Sequence, residues 1–188
     1  MRLSKNLTSR LLLLLLSFTL FSCSTGELCK EDLINYMLEK ENGLYQEVSV
    51  NDELLVSCSY RDANLLFEHD TSYLNSVKNT YWFFKVSIEY IGKNEVDFLA
   101  LSKIFSEQIV NSQSWFSASD DNEKLIISNV QPISYLGTVS RMEYLITILK
   151  PDNLTKEIEI EFEPKVESLH FLRNEFSFSK SNLNNAPS

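Results

Sequence analysis

The chain has 188 residues, with 26 Asp and Glu, 17 Lys and Arg, and a net charge of −9 at pH 7. This length fits a single domain, because most domains contain about 100 to 200 residues. The acidic surplus argues against nucleic-acid binding and against electrostatic docking on anionic lipid headgroups, since both partners attract clustered Lys and Arg.

Residues 1–22 have the composition of a secretory signal peptide. Three cationic residues precede a predominantly apolar run from Leu11 to Phe21, which is the order of a charged n-region and an apolar h-region. The run is shorter than the roughly 20 apolar residues that a membrane-spanning helix needs. Removal of this segment takes away three cationic residues and no acidic residue, so the net charge would become −9 − 3 = −12.

The segment ends in Leu20-Phe21-Ser22-Cys23, which resembles the lipobox of bacterial lipoproteins. The resemblance implies cleavage before Cys23 and lipid attachment at this cysteine, so that a lipid anchor holds the chain on a membrane. Ser24 is not the aspartate that retains many such proteins in the inner membrane, which favours the outer membrane. An ordinary cleaved signal and an uncleaved anchor are the alternatives. In size and composition the chain is also similar to small Bacteroidota envelope lipoproteins of unassigned function, which implies a location and no active-site residues.

If Cys23 carries lipid, Cys29 and Cys58 are the two remaining cysteines. In an oxidising compartment they can form a disulfide. The alternative is two separate thiols, with Cys58 in the core and Cys29 partly exposed. The sequence has no CxxC motif and no Cys/His cluster, which argues against a zinc site, and we predict no metal and no cofactor.

The mature chain begins with the lipidated cysteine and a short linker at residues 23–28. Apolar residues recur at three- and four-residue spacing from Lys30 to Lys40, which predicts a helix. Gly43 can adopt the left-handed conformation that ends helices. Two runs, Leu44–Val50 and Leu54–Tyr60, flank a turn and predict a β-hairpin.

Strand patterns dominate the rest of the chain. The further predicted strands are Tyr81–Ile91, Glu95–Leu99, Lys124–Ser128, Val139–Leu149, Glu157–Phe162 and Glu175–Phe178. Helical spacing predicts one more helix at Leu101–Val110. Short consecutive strands with few helices predict a mainly β, antiparallel, sandwich-like α+β fold. We expect one globular domain at residues 29–180 and a flexible tail at residues 181–188.

The sequence has no phosphate-binding loop, Rossmann glycine pattern, G-x-S-x-G motif or H-E-x-x-H motif. His69 lies between two acidic residues, but adjacent side chains of an extended segment point to opposite faces. His170 lies between two apolar residues and is predicted to be half-buried. Ser119–Glu123 carries oxygen ligands of the kind that calcium prefers, yet it lacks the EF-hand spacing and is interpreted as a surface turn.

Two stretches are candidates for a binding surface. Four glutamates that alternate with apolar residues should share one strand face, either solvated or docking a basic partner; they are Glu157, Glu159, Glu161 and Glu163. Trp115 and Phe116 lie in a Ser-rich stretch that we interpret as a loop. On a loop they could form a protein interface or stack on a glycan, and the alternative is that they cap the core.

The aromatic residues Tyr81–Phe84 are consecutive, so in a strand two rings must face each way. One pair can fill the core, and the other must meet a second layer, a partner or solvent.

These observations predict a non-enzymatic, lipid-anchored binding or scaffold module for another envelope protein. A glycan-binding or small-ligand-binding surface lipoprotein is the alternative from a different class. A hydrolase that uses two carboxylates is a third interpretation, for which the sequence nominates no pair.

Overall fold

A computed structural model describes residues 29–67, 71–92, 103, 113–121, 123–133, 141–153 and 156–187. The predicted signal peptide, the lipobox with Cys23 and the linker lie outside the described residues. The same holds for His69, for the predicted strand Glu95–Leu99, and for the predicted helix Leu101–Val110 apart from position 103.

The larger of two sheets contains five strands in the order β1-β2-β3-β7-β6, and every neighbouring pair is antiparallel. The strands are β1 (Tyr45–Val50), β2 (Leu54–Arg61), β3 (Tyr81–Tyr90), β6 (Ile127–Pro132) and β7 (Arg141–Leu149). The predicted hairpin is confirmed, because β1 and β2 pair from Val50 opposite Leu54 to Tyr45 opposite Ser59.

The smaller sheet has the order β5-β4-β8-β9 and is also antiparallel. Its strands are β4 (Phe116–Asp120), β5 (Glu123–Lys124), β8 (Glu157–Phe162) and β9 (Asn174–Ser179). The prediction of a single strand at Lys124–Ser128 is wrong. The chain leaves the smaller sheet after Lys124 and enters the larger one at Ile127, because Leu125 turns inward and is buried between them.

The two sheets face each other across one hydrophobic core, which confirms the predicted mainly β, sandwich-like arrangement. Alternate residues of β8 point inward, and Ile158, Ile160 and Phe162 are fully buried. Across the interface, the rings of Phe84 in β3 and Phe178 in β9 are 5.0 Å apart at their centroids. Period-two side-chain alternation therefore places one face of each sheet in the core.

Two helices, α2 (Ala63–Leu66) and α3 (Thr71–Thr80), pack on the outer face of the larger sheet. A third helix, α1 (Lys30–Leu38), buries Leu33 and Met37 in the main core. Phe83 packs with Ala63 and Val77 in a second, smaller cluster, whereas Trp82 and Phe84 belong to the main core. The four consecutive aromatic residues thus divide between core and second layer as predicted. No helix within the described ranges is both long and apolar enough to cross a membrane.

The C-terminal segment corrects the prediction of a flexible tail. Residues Lys180–Asn185 form a helix, α4, which Ser179 caps by accepting from the Asn182 backbone N–H. Leu183 is buried in the main core. Gly43 has a φ of +64° and packs so closely on the Asn182 amide that a Cβ at this position would overlap it. The positive φ matches the left-handed conformation predicted for Gly43.

Candidate ligand pocket on the larger sheet

The outer face of the larger sheet is polar in its middle section. Two cross-strand rows lie there, one made of Ser57, Ser87 and Glu143, and the next of Ser59, Lys85 and Leu145. Ser57, Ser59 and Ser87 are buried although they do not face the main core. Both faces of β2 are therefore withdrawn from solvent between Val56 and Tyr60.

A pocket of about 370 Å³ opens on this face, between the sheet, α1 and α2. This volume is near the lower end of the range for small-molecule sites, which is about 300 to 1,000 Å³. Among the residues that the structure describes, the charged ones that line it are all cationic: Lys30, Arg61, Lys85 and Arg141. The other described lining residues are aliphatic. A cationic pocket in a chain with a net charge of −9 is a local reversal of the overall charge.

Glu143, on β7, forms ion pairs with two of these cations, Lys85 and Arg141. The Lys85 Nζ donates to Glu143 Oε1 at 2.8 Å, and the Arg141 Nε lies 2.9 Å from the same oxygen. The Ser87 hydroxyl also donates to this oxygen at 3.2 Å. The Arg141 guanidinium donates in turn to the Ser87 hydroxyl at 3.3 Å. The network fixes the positions of the Lys85 and Arg141 side chains at the base of the pocket.

Arg61 contributes charge without a direct ion pair in the described part of the chain; it interacts with Glu143 electrostatically at longer range. Burial lowers the pKa of the Arg61 guanidinium, and Arg141 acts in the same direction. Burial also lowers the pKa of Lys85, although the hydrogen bond to Glu143 opposes this shift. The main cause of both shifts is burial, which removes water from the charged group, and repulsion from neighbouring cations lowers both pKa values further.

For Glu143 burial acts against the charged form, but the hydrogen bond from Lys85 and the charges of Lys85 and Arg141 outweigh it. The net result is a lowered pKa for the Glu143 carboxyl. Glu143 is therefore a carboxylate at neutral pH and belongs to the cationic network as its internal counter-ion.

The pocket walls come from local sequence signals. In α1, Leu33 and Met37 are buried in the main core, and Ile34 and Leu38 follow them on the adjacent side and line the pocket. The short helix α2 begins after Asp62, whose carboxylate accepts from the Asn64 backbone N–H at 2.8 Å. This N-cap satisfies a backbone donor that the helix itself leaves unpaired.

The sequence-predicted aromatic surface is wrong, since Trp115 and Phe116 are 2% and 6% exposed. Phe116 begins β4 and points into the core, where its ring stacks on Phe162 at 5.2 Å. The Trp115 ring packs against Tyr144 and Phe162 at centroid distances of 6.4 and 6.5 Å. The alternative interpretation, in which the two rings close the end of the core, agrees with the structure.

The four glutamates are placed as predicted, on the outer face of the smaller sheet and opposite the buried residues of β8. Neighbouring strands supply donors to three of them: Ser177 to Glu157 at 2.7 Å, Ser119 to Glu159 at 3.2 Å, and Ser117 to Glu161 at 3.1 Å. Cations contact the end of the row, since Arg173 lies 2.7 Å from Glu161 and Lys165 pairs with Glu163. We call this row, Glu157 to Glu163, the acidic face.

The two described cysteines are free thiols, so the structure matches the alternative to the predicted disulfide. Cys29 is exposed and its Sγ donates to Asp32 at 2.9 Å. Cys58 is fully buried in β2, and burial raises the pKa of its thiol.

Two further stretches that the sequence singled out are Ser119–Glu123 and the surroundings of His170. Ser119–Glu123 contains the end of β4 and the tight turn into β5, in agreement with the predicted surface turn; Asn122 is outside the described residues. His170 is exposed within a 3₁₀ turn at Glu167–Leu172, so its predicted half-burial is wrong. Nowhere in the described ranges do three or more His, Cys, Asp or Glu side chains lie close enough to hold a metal ion.

Sequence reasoning missed the cationic pocket entirely. One available signal was Lys85, a charged residue in the middle of an aromatic and β-branched strand. A second was the alternation of Ser57 and Ser59 in β2, which indicated a polar face. Nothing in the sequence showed that Arg61, Lys85 and Arg141 would meet, because strand register decides this.

Comparison of the chain with protein-family models, with curated proteins and with solved structures finds no match.

Proposed function

We propose that this chain is a lipid-anchored, non-enzymatic binding module of the cell envelope that holds a small anion in its cationic pocket. The anchor rests on the resemblance to a lipobox at Cys23, and the outer-membrane location rests on Ser24, which is not the aspartate that retains many such proteins in the inner membrane. The small-ligand role rests on the pocket and favours the second of the two predicted binding roles. One observation carries it, namely that the described residues lining this concave site include four cationic and no acidic side chains.

The chemistry of the lining supports an anionic ligand. A guanidinium presents several N–H donors in a planar fork that matches a carboxylate or a phosphate. Arg61 and Lys85 are largely withdrawn from water, which strengthens their attraction for an anion. The same withdrawal makes the empty arrangement costly, because like charges repel more strongly where water screens them less. An anion between the cations offsets this repulsion.

The lining supports a holding role more than a reaction. Apart from its cations, the described lining consists of isoleucine and leucine side chains. The carboxyl of Glu143 contacts Lys85 and Arg141, has a lowered pKa, and already accepts from Lys85 and Ser87. A group so engaged is poorly suited to act as a general base.

The test is a calorimetric titration of the full-length protein with inorganic phosphate and with acetate. We expect binding that weakens as salt is added, because added ions screen the attraction. Arg61→Gln should weaken it at least about tenfold, as expected when a charge-assisted hydrogen bond worth roughly 1.5 to 3 kcal/mol is lost. Arg173→Gln is the matched control, since Arg173 lies on the smaller sheet beside Glu161. Equal affinities for the parent and Arg61→Gln would refute the assignment.

The predicted engagement of another envelope protein is retained as a second proposal and is assigned to the acidic face. Its support is the row of four carboxylates on one solvent-facing strand surface, which complements a basic partner. A mild-detergent pull-down from the native membranes tests it. We expect a stoichiometric basic partner that is lost from the double variant Glu157→Gln/Glu159→Gln. Recovery of the chain alone from both preparations would refute it.

A further inference from the structure

The pocket has a second chemical character that a small inorganic anion would not use. Ile34 and Leu38 line one side from α1, and Leu65 and Leu66 line another from α2. Leu38 is 42% exposed, which is unusual for a leucine beside a concave site. Aliphatic surface of this kind remains in contact with water unless a ligand covers it.

The cationic and the aliphatic parts of the pocket lining come mainly from different secondary-structure elements. Arg61, Lys85 and Arg141 come from adjacent strands of the sheet and form the base. The aliphatic side chains come from the helices and form the walls. A ligand that satisfies both regions must itself have a charged end and an apolar part.

We propose that the pocket binds an amphiphilic anion, with a carboxylate or phosphate head on Arg61, Lys85 and Arg141 and a single aliphatic chain between α1 and α2. This inference rests on the proposed function and specifies its ligand class. The charge complementarity fixes the orientation of the ligand, head toward the sheet and chain toward the helices. Lys30, at the start of α1, adds a further positive charge to the lining.

The experiment is a titration of the full-length protein with inorganic phosphate and with ethyl, butyl, hexyl and octyl phosphate below their micelle concentrations. Each methylene that enters the pocket should strengthen binding about fourfold, because burial of one CH₂ is worth roughly 0.8 kcal/mol. The gain should stop once the chain extends beyond the walls. A parallel series of alkanoates with the same chain lengths shows whether a carboxylate or a phosphate head binds more tightly.

Two variants test the contributions of the ligand's anionic head and of its aliphatic chain separately. Leu38→Ser should flatten the dependence on chain length, so that it weakens the binding of octyl phosphate much more than the binding of inorganic phosphate. Ile126→Ser is the matched control, because Ile126 is an aliphatic residue that is 62% exposed and lies outside the pocket lining. Arg61→Gln should weaken every member of the series.

The outcomes distinguish this inference from the proposed function. If inorganic and octyl phosphate bind equally well and Arg61→Gln weakens both, the aliphatic chain is refuted and the anion pocket stands. If Leu38→Ser retains the full dependence on chain length, the chain binds elsewhere and the inference is likewise refuted. If no anion in either series binds, both proposals fail.

Discussion

The Lys85 ammonium and the Glu143 carboxylate meet at 2.8 Å across two neighbouring strands of the larger sheet. They occupy diagonal positions, because Lys85 is paired with Leu145 and Glu143 with Ser87. Their side chains are 18% and 20% exposed. The pair is therefore largely shielded from solvent, and it holds one cation of the pocket against a carboxylate that also contacts Arg141.

Glu143→Gln should lower the free energy of unfolding by about 1 to 3 kcal/mol at pH 7, because it leaves Lys85 and Arg141 close together without their shared counter-charge. The same variant should bind phosphate more tightly, since a negative charge beside the pocket is gone. Urea unfolding and phosphate titration measure the two effects.

Glu161→Gln is the control for the stability measurement. It should change the free energy of unfolding by less than about 0.5 kcal/mol, because its partner Arg173 is 63% exposed and exposed pairs contribute little. Unchanged stability in Glu143→Gln would contradict the network.

The contribution of Glu143 should depend on pH in one direction. Its folded-state pKa is lowered, since the contacts with Lys85 and Arg141 outweigh the effect of burial. The stabilisation is therefore complete above the unfolded-state pKa, about 4.3 for a glutamate, and is lost as the pH falls through the folded-state pKa. The stability difference between the parent and Glu143→Gln should be constant from about pH 6 to 8 and shrink below about pH 4. A stability difference between the parent and Glu143→Gln that grows as the pH falls would contradict this prediction.

Trp115→Ala should destabilise the protein by about 3 to 5 kcal/mol, because it removes a buried aromatic side chain and leaves a cavity. Urea denaturation followed by circular dichroism is the measurement. Phe171→Ala is the comparison, since Phe171 is 45% exposed and its loss should cost far less. A Trp115→Ala protein as stable as the parent would place the ring on the surface.

Cys29 and Cys58 should differ sharply in reactivity. Native Cys29 is exposed and should be alkylated by iodoacetamide, whereas Cys58 should react only after unfolding, because burial raises the pKa of its thiol and blocks access. Peptide mapping of the protein after alkylation without reductant, in the native and in the unfolded state, shows which of the two cysteines has reacted. Two thiols that stay unreactive in denaturant until a reductant is added would instead show the disulfide.

Cys23→Ala should abolish incorporation of labelled fatty acid and leave the precursor unprocessed. This follows from the resemblance of Leu20-Phe21-Ser22-Cys23 to a lipobox. Metabolic labelling and the mass of the mature N-terminus are the measurements. Labelling that survives the substitution would remove the proposed anchor, and the cationic pocket would be unaffected by that result.

The strands were predictable where short-range alternation is strong. In β8 the repeat of glutamate and apolar residues is sufficient to define both faces. In β3 the aromatic run required rings on both faces, and only the structure showed that the second pair meets another layer of the protein. The prediction failed at Leu125, where a short segment connects a strand of one sheet to a strand of the other. It also failed at Trp115, because the Ser-rich neighbours of this residue suggested a loop. Leu183 was missed for a related reason, because one apolar residue in a polar tail gives no periodic signal.

The sequence by itself determined the hairpin of β1 and β2, the two faces of β8, the left-handed stop at Gly43, the acidic face and the overall negative charge. These properties depend on residues close together in the chain or on composition alone. Only the tertiary structure decided that Arg61, Lys85 and Arg141 line one pocket under α1 and α2. Their meeting depends on the registers of β2 with β3 and of β3 with β7, and register is fixed by the packing of whole sheet faces against distant segments.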